Sequence, residues 1–163
     1  MGKVEDAIDN ISRNWPQIGN ESGVFSFVVQ YIAAQLNASA REALKPFDLS
    51  FTAFEVLCAL RISDEHALLP TDLYDRVLLS SGGLTKVLKA MEARDLIARP
   101  QAQDDARRKP VVLTDHGRKL VEQAMTAVQS AEKRLLVEQS WTGKPLGDLN
   151  AELLKASRLF EER

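Results

Sequence analysis

The chain has 163 residues, 45% of them apolar, 27% charged and 6% aromatic, with a net charge of −2; this suffices for one sizeable core and argues against a second independent domain. A single cysteine, Cys58, excludes an internal disulfide and a cysteine-based zinc site, and His66 and His116 lie too far apart for a local metal pair, so no metal or cofactor is expected. No apolar run approaches the roughly 18 residues that span a bilayer, and the opening MGKVEDAIDN lacks the apolar stretch of a secretory signal, which reads as a cytoplasmic chain without a membrane partner.

Ala, Leu, Glu, Arg and Lys are plentiful, which favours helices over sheets and predicts a mainly α fold. Val4, Ile8, Ile11 and Trp15 recur at three- and four-residue spacing, predicting a short amphipathic helix that Pro16 ends. After the turn-prone Gly19-Asn20-Glu21-Ser22-Gly23, a long helix is expected from Val24 to about Leu44. It carries Phe25, Val28, Val29, Ile32, Ala33 and Leu36 on one broad face and is closed by Pro46. Ser50 can cap the next helix, and Thr52 with Glu55 has the spacing of a capping box; Phe54 and Leu57 should point into the core.

A polar break at residues 63–66 leads to a short helix near Pro70, with Leu73 and Val77 on its apolar side. The next helix spans SSGGLTKVLKAMEARDLI, residues 80–97. Ser80 or Ser81 can bond its free N–H groups, Leu84, Val87, Leu88 and Met91 form its buried stripe, and Thr85, Lys86 and Lys89 stay outside. A short helix, a tight connection and a second helix with a polar leading edge make the helix-turn-helix pattern.

Ile97-Ala98-Arg99 and Val111-Val112-Leu113 read as two short strands around a polar segment from Pro100 to Pro110, that is, a hairpin with a protruding tip. Thr114 then caps a long helix bearing Leu120, Ala124, Val128, Ala131 and Leu135. A break around Trp141 precedes a last helix with Leu149, Leu153, Leu159 and Phe160. Two helices followed by a β-hairpin form a winged helix-turn-helix, with one helix for the major groove and a hairpin tip for an adjacent groove or backbone.

Charge supports this order. From Leu84 to Lys119 there are nine Lys or Arg against five acids, a local +4 that leaves −6 on the rest of the chain. A basic segment on an otherwise acidic molecule suggests a directed polyanion contact, although any one of these residues also fits an ordinary solvated surface.

Here the sequence resembles the MarR family of bacterial transcription regulators. The matching residues are Leu84-Thr85 followed by Lys86, then Met91-Glu92-Ala93-Arg94-Asp95-Leu96-Ile97, Asp105-Ala106-Arg107 in the wing, and Val112-Leu113-Thr114-Asp115-His116-Gly117 into the next helix. The resemblance implies one domain over residues 1–163. Residues 1–46 and 118–163 would be dimerisation helices, and 50–117 the DNA-binding lobe of a homodimer that grips a palindromic operator in double-stranded DNA. It also implies a repressor released by a small aromatic or phenolic ligand, in a pocket among Trp15, Phe25, Phe54, Glu55, Leu57 and Cys58.

The expected DNA contacts are Ser80, Ser81, Thr85, Lys86 and Lys89 on the recognition helix, first to phosphate and then to base edges. In the wing, Arg107 suits a narrow minor groove, Asp105 can hold its guanidinium, and Arg108 and Lys109 add phosphate contacts. Gly82 and Gly83 depart from the family, which more often has side chains that reach DNA there. For Cys58 the reading is a packed thiol, and for Trp15 an aromatic anchor of the first helix as well as a pocket wall. Two other classes compete: a winged-helix protein-interaction module without DNA binding, and an enzyme. The latter lacks a visible nucleophile-base pair, phosphate-cradling loop or metal cluster in the sequence.

Overall fold

The computed structural model describes residues 2–77, 81–100, 110–138 and 146–161. The elements are α1 (Lys3–Asn14), α2 (Glu21–Leu44), a 3-10 turn (Lys45–Phe47), α3 (Phe51–Ile62), β1 (Ala67–Leu68), α4 (Pro70–Arg76), α5 (Ser81–Ala93), β2 (Ile97–Ala98), β3 (Val111–Leu113), α6 (Asp115–Lys133), a π-helical turn (Arg134–Glu138) and α7 (Leu146–Glu161). The fold is mainly α with one small sheet, as the composition predicts.

Helix starts follow local hydrogen bonding more closely than apolar periodicity. α2 begins at Glu21, three residues before the apolar pattern does, because the Asn20 side chain accepts a bond from the Gly23 N–H at 2.9 Å. Gly23 packs so tightly on the Ile18 carbonyl oxygen that a Cβ there would overlap it. The segment expected as a turn is therefore a helix cap. At α3 the Ser50 Oγ accepts from the Ala53 N–H at 3.1 Å. Thr52 lies inside the helix already begun at Phe51, so its spacing with Glu55 is not the cap.

The sheet contains a strand that the sequence reading missed. β3 is central in the order β1-β3-β2, with antiparallel registers Ala67↔Val112 and Leu68↔Val111 on one side, and Ile97↔Leu113 and Ala98↔Val112 on the other. Two residues are too few to show alternation, which is why β1 was hidden behind the polar break before it. His66, at φ 52°, turns the chain into β1, and its carbonyl accepts from the Leu113 N–H at 2.9 Å.

The core lies where α3 meets α5, α6 and the sheet. Leu57 and Leu60 of α3, Leu84 and Leu88 of α5, Val111 of β3 and Val121 of α6 are all buried there. α2 runs along α6. The terminal helices differ: α1 buries none of its residues, and α7 has no buried residue among those described. Trp15 (61% exposed), Phe25 (55%) and Leu154 (64%) present apolar surface to solvent, so Trp15 does not anchor α1 within this chain. No helix among the described residues is long and apolar enough to cross a membrane.

Candidate nucleic-acid interface

Pro70 opens α4 at its first helical position, where the missing N–H costs nothing, and Leu73 and Val77 fix this short helix in the core. α5 follows. Its apolar residues Leu84, Leu88 and Met91 are buried and Val87 is half-buried, so the 3.6-residue period turns Thr85, Lys86 and Lys89 outward. The exposed face thus carries a hydroxyl and two ammonium groups within about one and a half turns, a donor-only surface apart from the hydroxyl oxygen. Ser81 is the first residue of α5. Ser80, Asp105, Arg107, Arg108, Lys109 and Trp141 lie outside the described residues.

The exit from α5 is built on a left-handed residue. Asp95 sits at φ 55°, its N–H bonds the Glu92 carbonyl at 3.0 Å, and the Leu96 N–H bonds the Met91 carbonyl at 3.0 Å. This pair of bonds is a Schellman ending, in which aspartate takes the place usually given to glycine. Just before it, Arg94 reaches across to the junction of α2 and α3. Its Nη1 donates to the Asp48 carbonyl, its Nη2 donates to the Phe47 carbonyl at 3.3 Å, and Nη1 lies 3.6 Å from the Asp48 carboxylate. Sequence reasoning quoted Arg94 within a motif but assigned it no role, and no local signal could have done so because its acceptors lie 46 and 47 residues upstream.

The stem of the wing is fixed by one threonine and one glycine. The Thr114 hydroxyl donates to the Asp95 carbonyl at 2.6 Å and accepts from the Gly117 N–H at 2.9 Å, while the Thr114 N–H donates to the Leu96 carbonyl at 3.2 Å. A single side chain therefore caps α6 and ties it to the end of α5. Gly117 is buried against the Leu96 carbonyl, and a Cβ there would overlap that oxygen. This close approach gives the Leu-Thr-x-x-Gly spacing a physical meaning. The β2–β3 pair emerges beside it, and the basic run 107–109 belongs to the connection between those strands.

The six residues expected to surround a ligand differ in their burial. Phe54 and Leu57 are packed into the core, whereas Trp15 and Phe25 face solvent. Cys58 instead lines an apolar cleft of about 310 Å³ between α3 and α6, shared with Ile62, Val121 and Met125 and rimmed by the Arg61–Glu122 ion pair at 2.9 Å. Burial, then the nearby Glu55 charge, pushes the Cys58 thiol up to about 11. The same helix holds Glu55, whose carboxyl is pushed above its usual range by desolvation and pulled back in part by Arg41. The Arg41 guanidinium lies 5.0 Å from the centre of the Phe51 ring. A second cleft of about 330 Å³ lies between the start of α3 and α5 and includes Asp48, Ser50, Lys86 and Arg94.

A family model for the MarR family matches residues 47–108, which run from the α2–α3 junction into the wing. The HTH-type transcriptional regulator SarZ of Staphylococcus aureus is 37% identical over 75 residues, 46% of this chain and 49% of SarZ. The chain thus spans about half the length of the curated relatives it matches. Among solved structures, an E. coli MarR variant complexed with operator DNA superposes with a TM-score of 0.69 at 22% identity, over 90% of this chain and 96% of that one. CouR from Rhodococcus jostii, bound to p-coumaroyl-CoA, gives 0.69 at 19% identity, over 83% and 90%. At such identities these likenesses concern the fold.

Proposed function

We propose that the chain is a MarR-family, sequence-specific DNA-binding transcriptional regulator, working as a homodimer and as a repressor in the bacterial cytosol. The observation that carries this reading is the outward face of α5, where Thr85, Lys86 and Lys89 project from a helix whose other side is locked into the core. A major groove admits such a helix, and phosphates and base acceptors are the partners that cationic donors seek.

The supporting parts follow the same logic. Ser80 and Ser81 stand at the start of α5, where free N–H groups favour a phosphate. Arg107 suits the minor groove, held by Asp105, with Arg108 and Lys109 on the backbone. Dimerisation supplies what one lobe lacks. Two recognition helices about 34 Å apart read two half-sites and multiply the affinity of each. The exposed apolar residues Trp15 and Ile18 after α1, and those of α2 and α7, suit a second copy of the chain, with residues 1–46 and 118–163 as the dimerising arms and 50–117 as the DNA-binding lobe. No catalytic role is proposed; the reading is one of binding.

We place an aromatic or phenolic effector between the arms and the lobe, beside Trp15, Phe25, Glu55 and Cys58, with Phe54 and Leu57 as the apolar backing. In a single chain Trp15 and Phe25 are open to solvent, so such a pocket needs the second copy to close it. The solved CouR structure with its acyl-CoA gives a neighbour of this fold holding a phenolic compound.

Nuclease footprinting of the DNA upstream of the protein's own gene tests the reading. It predicts two symmetric protected stretches centred about 10 base pairs apart or a multiple of that, which fade when a phenolic effector is added. Uniform, sequence-independent protection at every protein concentration would overturn it.

A further inference from the structure

We propose that Arg94 is a positioning residue that sets the angle of the recognition helix against the α2 arm. The inference rests on the DNA-binding reading for its consequence, and on the geometry alone for its mechanics. α5 packs on α3 and β2, and its C-terminal end is carried by the Arg94 guanidinium to the two carbonyls at the end of the 3-10 turn after α2, those of Phe47 and Asp48.

Four features make this contact a clamp. The acceptors belong to a helix end, where unpaired carbonyls carry partial negative charge and favour a cation. Asp48 is held at φ 50°, closing the turn through its own N–H to the Lys45 carbonyl at 3.1 Å, so the acceptors stand on a defined backbone. The donor is equally fixed, because residue 94 lies within the hydrogen-bonded ending that Asp95 and Leu96 complete on α5. A planar guanidinium spanning two adjacent carbonyls fixes direction as well as distance, which an ammonium on a flexible stem does not.

The contact therefore joins the 3-10 turn that closes the arm helix to the far end of the DNA-reading helix. In a dimer held together by its arms, the tilt of α5 against α2 determines the separation of the two recognition helices, and hence which half-site spacing is bound. Losing the clamp leaves the core of α5 packed through Leu84, Leu88 and Met91, so the helix stays folded but its direction spreads.

The test has two arms. Spin labels at Gln35→Cys on α2 and Glu92→Cys on α5, in a Cys58→Ser background and diluted with unlabelled protein, report the distance between the two helices within one chain. The clamp predicts a narrow distribution for the parent, a clearly broader or shifted one for Arg94→Ala, and an intermediate one for Arg94→Lys. In the second arm, fluorescence anisotropy compares duplexes whose half-sites are at native spacing or two base pairs off. The parent discriminates, and Arg94→Ala loses about tenfold of that discrimination, within the usual range for a coupling between sites, while its thermal unfolding stays close to that of the parent. An unchanged narrow distance in Arg94→Ala overturns the clamp whatever the DNA result. A parent that shows no selectivity for any duplex would instead defeat the DNA-binding reading, and the distance measurement would still decide the clamp.

Discussion

Cys58 shows how burial turns a reactive residue type into a packing one. With its thiol pushed up to about 11 by burial and the Glu55 charge, only about one molecule in ten thousand is thiolate at pH 7. Iodoacetamide is expected to label the folded protein far more slowly than the unfolded chain, and equal rates would contradict the packed-thiol account. The pH dependence has a definite sign. The folded pKa is raised, so the neutral thiol contributes stability that is fully present below the ordinary thiol range and is lost as pH climbs toward about 11. Glu55 behaves alike at lower pH: its carboxyl is raised chiefly by desolvation, so the folded state disfavours the charge. Glu55→Gln should be as stable as the parent or slightly more stable near pH 7, with the difference closing as the solution is acidified through the carboxylate range. Melting curves across pH check this, and a large loss at neutral pH in Glu55→Gln would show that the pairing with Arg41 outweighs desolvation. Gly117 is the other residue with a sharp expectation. A methyl group there meets the Leu96 carbonyl, so Gly117→Ala should cost about 1–3 kcal/mol, in the range of overpacked sites, read as a fall in melting temperature. An unchanged temperature would mean that the α5–α6 junction is slack.

Thr114 is best understood as a link between elements. It caps α6 through Gly117 and holds the Asp95 carbonyl at the end of α5. Thr114→Val keeps the shape but removes both bonds, with an expected loss of about 1–2 kcal/mol for a partly buried cap plus an exposed hydrogen bond, measured by denaturant unfolding. At this scale the sequence was informative where an element is long or closed by a strong cap. The buried stripe Leu84, Leu88 and Met91, with Val87 only half-buried, and the outward Thr85, Lys86 and Lys89 were legible from period, and the β2–β3 pair and the Thr114 cap from residue type. Elements that depend on remote partners were not. β1 is two residues that become a strand only because β3 offers a free edge, and the Arg94 contact joins segments 46 residues apart. The start of α2 was misplaced because Asn20 fixes it through a side-chain bond that apolar spacing does not reveal. Trp15, read as an anchor, is exposed, and α1 before it buries none of its residues.

The whole molecule has two unlike halves. Residues of α3 to α6 share one core with Ala40 and Leu44 at the end of α2, whereas the turn after α1, the outer side of α2 and α7 leave Trp15, Phe25, Tyr31 and Leu154 in solvent. Soluble single chains seldom leave a surface of this kind uncovered. Sedimentation at micromolar concentration is expected to show a dimer, and Trp15→Ala combined with Phe25→Ala to shift it toward monomer. A monomeric parent would leave these faces unexplained.

The central claim is that the cationic face of α5 and the basic segment after β2 grip a specific DNA site. Its most direct test is fluorescence anisotropy of the parent, Lys86→Gln and Arg107→Ala on DNA from upstream of the protein's own gene, titrated over salt with an unrelated duplex alongside. The account predicts selective, strongly salt-dependent binding by the parent. It further predicts a slope of log affinity against log salt that falls by about one for each phosphate contact removed per bound protein, and a marked loss of affinity for Arg107→Ala. Equal and weak binding to both duplexes, indifferent to either substitution, would contradict it and leave a winged helix that serves a protein partner.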